Sequence, residues 1–117
     1  MRPSIAVVIA ETPRPPYYVA IITVERSEID DGYFEMADAM YHAASSQDGF
    51  LGMEWVSDAA QRVGITASYW RDAESIGRWK LEAEHLVAQK LGKDRWYDAY
   101  RVRIARVERD YEWMRTR

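Results

Sequence analysis

GITASYWRDAESIGRWKLEAEHLVAQKLGKDRWYDAYRVRIARVERDY, residues Gly64 to Tyr111, reads as a strand, an amphipathic helix, a short aromatic turn and a closing strand. Gly64 to Trp70 is rich in β-branched and aromatic residues, the composition of a pleated, half-buried segment. Arg71-Asp72 breaks it, and Asp72 is placed to accept hydrogen bonds from the first free amides of a helix. Ile76, Trp79, Ala83, Leu86, Val87 and Leu91 recur at three- and four-residue steps and so share one side of that helix. Gly92 suits the left-handed turn that ends it, and Lys90 and Lys93 suit the negative end of its dipole. Tyr100, Val102 and Ile104 then alternate with Arg101, Arg103 and Ala105, which predicts a final strand.

Working upstream, Tyr17 to Arg26 (YYVAIITVER) predicts a strand whose middle is apolar on both faces, hence one covered from two sides. Ser27 to Asp31 is a helix start signal, and Tyr33, Met36, Ala37, Met40, Tyr41 and Ala44 mark the buried side of the helix that follows. Ser45 to Gly49 ends it. Phe50 to Val56 predicts the second strand, and Ser57 to Arg62 a polar hairpin into the third. The order is β-α-β-β-α-β: an α+β, ferredoxin-like antiparallel sheet with both helices on one face. Residues 1–16 carry all four prolines and form an extended N-terminal arm, with Ile5 to Ile9 an edge strand or a contact to a neighbour; 17–117 form one domain.

The sheet face without helices would expose the second apolar set of the first strand, which predicts a homodimer packed sheet against sheet. In that dimer the last strand and Tyr111 to Trp113 reach across. The 13% aromatic content, with five Trp and eight Tyr, suits that interface, a flat apolar ligand, or an aromatic core. A net charge of −3 argues against a nucleic-acid surface. No run approaches ~20 apolar residues, so no helix spans a membrane. The apolar run before Glu11 is shorter than the ~7–15 residues of a signal sequence, and the chain reads as cytoplasmic. The absence of cysteine removes disulfides, thiolate metal sites and cysteine nucleophiles. No His or carboxylate pair shows metal-ligand spacing with a second site.

His85 and His42 lie off the apolar stripes of their helices, which makes each a surface or interface histidine. Tyr69 and Trp70 point to opposite faces of the third strand, so only one meets the helices. Trp96, Tyr97 and Tyr100 follow the second helix and either seal the core edge or cap a pocket. Arg101 and Arg103 share a strand face, where Glu25 or Glu108 would neutralise them.

TVERSE, GFLGME, ITASYW, WKLEAEHLVAQKLGKDRWYDAY and RVRIARVERDYEW, covering Tyr17 to Trp113, resemble the antibiotic biosynthesis monooxygenase family, nearest its heme-degrading branch. The resemblance implies a dimeric α+β barrel with a pocket in each subunit between helices and sheet. It implies oxidation of an aromatic or polycyclic molecule with O2 and no cofactor, or heme binding or degradation; a ligand-binding or purely structural dimer without catalysis is the third reading. Trp79 matches the tryptophan lining the family's pocket. The heme branch's proximal histidine falls at Gln89, with His85 the only nearby histidine, and its pocket asparagine falls near Ile22 or Thr23. A cofactor-free oxygenase needs an aromatic slot, a group to stabilise a substrate anion, and orientation. Trp79, Tyr69 and Thr23 supply these in kind, with heme held by His85 only if it binds.

Overall fold

The computed structural model describes residues 9–89 and 95–115, the backbone alone for 86–89. Its elements are β1 (Tyr17–Arg26), α1 (Tyr33–Ser45), β2 (Phe50–Asp58), β3 (Val63–Trp70), α2 (Ala73–Gln89) and β4 (Tyr97–Val107). They form one antiparallel sheet in the order β2-β3-β1-β4, the ferredoxin-like arrangement that the element order predicts. Strand β1 lies inside the sheet, paired with β3 on one side and β4 on the other. That lateral position agrees with its apolar run, but the helices cover only one of its faces, and among the described residues no helix lies on the other.

The helices cover one face. The core joins Ala20 of β1, Ala44 of α1, Trp70 of β3, and Ile76 and Trp79 of α2, with Tyr18, Met40, Phe50 and Ala83 packed against it. Trp70 has no exposed surface. It stacks on Trp79 with centroids 6.2 Å apart and takes the edge of Phe50 at 5.3 Å. Its indole N–H donates to Ser68 Oγ at 2.9 Å, so burial strands no polar atom. This stack fixes α2 over β3.

The α2 start is built as its sequence dictates: Asp72 Oδ1 accepts from the Ser75 amide at 2.8 Å and from Ser75 Oγ at 2.7 Å. Ion pairing to Arg71 and these hydrogen bonds hold the Asp72 carboxyl below its usual range, the Ser75 bonds contributing most. The helix end at Lys90 to Lys93 and the stripe positions Leu86, Val87 and Leu91 lie outside the described residues or side chains. The α1 start departs from expectation. Its N-cap is Gly32 in the left-handed region (φ 81°) with no side-chain cap. Ser27 Oγ instead accepts from the Ile29 amide and donates to the Arg95 carbonyl, and Asp30 accepts from both Arg26 and Arg62. Two nearby guanidinium groups outcompete helix amides for the aspartate.

Residues 1–8 of the arm lie outside the described set. Ala10 donates its amide to Glu54 Oε2 at 2.8 Å, Thr12 Oγ1 donates to the Tyr17 hydroxyl, and that hydroxyl donates to Asp110. The arm therefore lies on the helix-free face, pinned where β1, β2 and the chain after β4 meet. Among the described residues no helix is long and apolar enough to cross a membrane.

Two glycines should respond oppositely to alanine. At Gly49 (φ +91°) a Cβ would stand 2.0 Å from Ser75 Oγ, whereas at Gly77 inside α2 it meets nothing within 4 Å. Gly49→Ala should cost at least ~1 kcal/mol from strain and clash. Gly77→Ala should stabilise by ~0.5–1 kcal/mol through helix propensity. Urea denaturation of both variants checks the sign of each.

Candidate functional site

On the helix-bearing face, Ala20, Ile22 and Val24 of β1 stand opposite Ile104, Val102 and Tyr100 of β4. Ala20 is buried with Trp79, but its neighbours on β4 are not: Tyr100, Val102 and Ile104 are 44%, 42% and 53% exposed. The stack of Trp79 on Trp70 draws α2 toward β3, so β4 keeps an apolar strip that no described element covers. The alternating pattern of β4 predicts which face these residues take; it does not reveal that the face stays open.

An aromatic cluster closes the strip where β4 begins. Tyr97 packs edge-on against Tyr100 at 5.4 Å and Tyr33 at 6.1 Å, and Tyr33 meets Trp96 at 6.1 Å. Trp96 is buried and donates its indole N–H to the Asp31 carbonyl at 2.7 Å, so it seals the core edge, while Tyr97 and Tyr100 border the strip. The Arg26 guanidinium, buried and bonded to Asp30 at 3.0 Å, lies over the rings of Tyr33 (4.8 Å) and Phe34 (5.1 Å). Burial raises the Tyr97 hydroxyl above the ordinary tyrosine range, with Tyr33 and Tyr100 adding to the effect. Burial also raises Tyr33, against a smaller opposing pull from Arg26. Local start signals mark Ser27 and the aspartates, whereas Tyr33 and Arg26 carry no chemical motif that marks them as this end wall.

The sequence-predicted site residues divide between the two faces. Trp79 lies under α2, buried against Trp70, and forms the inner edge of the strip through its packing with Ala20. Tyr69 pairs with Val19, and Thr23 with Ile65 and Arg101, so both face the helix-free side. Tyr69 donates to Glu54 Oε1 at 2.6 Å and meets the Tyr17 ring edge-on. Burial, and next the Glu54 carboxylate, raise the Tyr69 hydroxyl. The sheet thus separates Trp79 from Tyr69 and Thr23.

His85 is exposed on α2, and His42 is exposed on α1 with its Nε2 at 3.5 Å from Asp38. Arg101 and Arg103 do not pair with Glu25 or Glu108. Both arginines are exposed, and Glu108 is taken by Arg106, two residues before it, at 3.1 Å. Among the described residues no His, Asp or Glu group is arranged to hold a metal ion. A cleft of about 500 Å³ lies between Arg14-Pro15 and Glu108 to Tyr111, lined by arm and tail rather than by the strip.

The tyrosines give this geometry a pH signature. Tyr17, Tyr33, Tyr69 and Tyr97 all have hydroxyls raised above the ordinary value. A group with a raised folded pKa contributes stability present below its unfolded value, near 10, and lost as pH climbs through the folded one. Stability should therefore fall above about pH 10, and the double variant Tyr33→Phe/Tyr97→Phe should flatten that fall. Denaturation midpoints between pH 8 and 11 check it.

Set beside known proteins, the chain matches no family model. It is 45% identical over 101 residues to the uncharacterised protein YqjZ of Bacillus subtilis, spanning 86% of this chain and 88% of YqjZ. It is 30% identical over 78 residues to the jasmonate monooxygenase ABM of Pyricularia oryzae, spanning 66% of this chain but 36% of that longer protein. Its fold superimposes with a TM-score of 0.61 on SnoaB of Streptomyces nogalater, a cofactor-independent oxygenase, over 84% of this chain and 97% of SnoaB at 7% identity. The chain is thus a relative of YqjZ and has the fold of antibiotic biosynthesis monooxygenase-type proteins.

Proposed function

We propose that the protein is a cofactor-independent monooxygenase that oxidises an aromatic or polycyclic molecule with O2, bound along the open strip of β4. The observation carrying this reading is the uncovered row Tyr100, Val102 and Ile104, walled by Trp79 and ended by aromatic rings. A flat apolar ligand laid there would bury surface that water now meets, at roughly 25 cal/mol per Å². The likeness to SnoaB and to the jasmonate monooxygenase supports oxygen chemistry; the substrate named for the latter stays with that protein.

The chemistry asks little of the protein. A substrate phenol or enol loses a proton, and the resulting carbanion delivers electrons to O2 and forms a C–O bond. The hydroperoxide then eliminates water, so a CH2 group and O2 become a carbonyl and H2O. Tyr97 stays protonated at neutral pH and, with Tyr100, offers hydroxyl donors for the substrate oxyanion at the aromatic end. Trp79 orients the rings. Tyr69 and Thr23 stand across the sheet from these groups and take part only through the second face.

The residues present do not fit a heme. The histidine position of the heme branch is Gln89, and His85 is exposed on α2. The working unit is a homodimer formed through the helix-free face, where Val56 and Ile65 are each 47% exposed.

Val102→Glu and Ile104→Glu change exposed side chains and should leave folding intact. Each should lower kcat/KM for oxygen uptake on an anthrone or quinol at least tenfold, since a carboxylate in a dry apolar contact is costly. Unchanged turnover in both would remove the strip as the site. A tight one-to-one Soret shift with hemin, lost in His85→Ala, would replace this reading with a heme one.

A further inference from the structure

The two ends of the β4 strip carry unequal charge. On the helix-bearing face Arg26 follows Val24 along β1 and pairs with Tyr97, so it stands where the aromatic cluster begins. Its side chain is 6% exposed and roofed by the rings of Tyr33 and Phe34. Asp30 Oδ1 accepts from the Arg26 guanidinium at 3.0 Å and also from Arg62. Two guanidinium groups thus share one carboxylate, and one positive charge is left over. The remaining acids of this end, Glu28, Asp31 and Glu35, are exposed to water that screens them, and Asp31 lies 3.8 Å from Arg95. At the other end Arg106 follows Ile104 on the same face, is half exposed, and meets Glu108 one to one at 3.1 Å. Of the two ends, the excess positive charge lies at Tyr97.

We infer that Arg26 is a positioning residue that draws the ionised oxygen of the substrate to the Tyr97 end of the strip, so that the protein selects aromatic phenols or enols over their neutral ethers. The inference rests on the function proposed above and adds the charge state and the direction of the bound molecule. Arg26 acts at a distance. Its guanidinium lies 4.8 Å from the centre of the Tyr33 ring, and that ring meets Tyr97 at 6.1 Å. A charge so little exposed is poorly screened, and its field reaches past its first neighbour. Arg26 already lowers the Tyr33 hydroxyl, against the larger upward effect of burial. A ligand oxygen beside Tyr97 feels a pull of the same sign and meets hydroxyl donors, and both favour its anion. Asp30 sets the strength of that pull, since it neutralises part of each guanidinium. The apolar remainder of the ligand then lies along Val102 and Ile104.

Spectrophotometric titration of the full chain with a hydroxyanthraquinone, whose colour changes when its hydroxyl ionises, tests the inference. Bound to wild type, the dye should ionise about one pH unit or more below its value in free solution. Arg26→Gln should return most of that shift. Asp30→Asn changes a side chain that is 52% exposed and should enlarge the shift by freeing both guanidinium groups, a sign that lost packing would not produce. Arg106→Gln, at the far end, should leave it unchanged. Dye that binds the strip yet ionises as it does in water, or whose ionisation is unmoved by Asp30→Asn, would overturn the inference and leave the proposed function standing. A shift lost in Arg106→Gln instead would overturn the direction. Dye that does not bind, or whose binding is indifferent to Val102→Glu, would overturn the proposed function and the inference with it.

Discussion

Trp79 lying flat on Trp70 is the contact that sets the remaining geometry. It joins the middle of α2 to the end of β3 with two of the largest side chains in the protein, one of them wholly buried. Close-packed interiors tolerate few alternatives to a pair of that size. Once α2 is held there, two helices must cover four strands from a position nearer β3 than β4. The helix-bearing face of β4 is left over. The same contact that completes the core therefore determines where the protein remains open, and the open place is apolar.

The sheet then has two unfinished surfaces with different characters. On the helix side, the exposed row of β4 is uncharged and ends in tyrosines whose hydroxyls burial keeps protonated. Under the proposed function, that surface receives a flat molecule and stabilises negative charge that develops on it. On the opposite side, the arm, the Tyr17–Tyr69 ring contact and the Tyr69–Glu54 hydrogen bond occupy one end. The split explains why Trp79 on one side and Tyr69 and Thr23 on the other do not form a single constellation.

Most of the fold was legible in the sequence because it rests on periodicity and local chemistry. The two-sided apolar run of YYVAIITVER coincides with the internal strand, and Asp72 caps α2 through Ser75 as its position requires. The start of α1 departs from the local signal because Ser27 and Asp30 serve partners distant in sequence, Arg95 and Arg62, which no local rule contains. The pairing of Glu108 went to Arg106 instead of Arg101 or Arg103 for the converse reason: the local partner was simply nearer. The site was legible only in part. Alternation assigns Tyr100, Val102 and Ile104 to one face, yet whether a helix covers them depends on where Trp79 comes to rest. Tertiary placement of that sort leaves no trace in spacing.

The central claim is that the open strip on β4 is where the protein binds its substrate. An amide chemical-shift titration with a non-oxidisable hydroxyanthraquinone tests it most directly. Saturable shifts confined to Ile22, Val24, Tyr97, Tyr100, Val102 and Ile104 are the predicted result. Shifts on Ile65, Ala67 and Tyr69 instead, with β4 unmoved on its helix-bearing side, would contradict it.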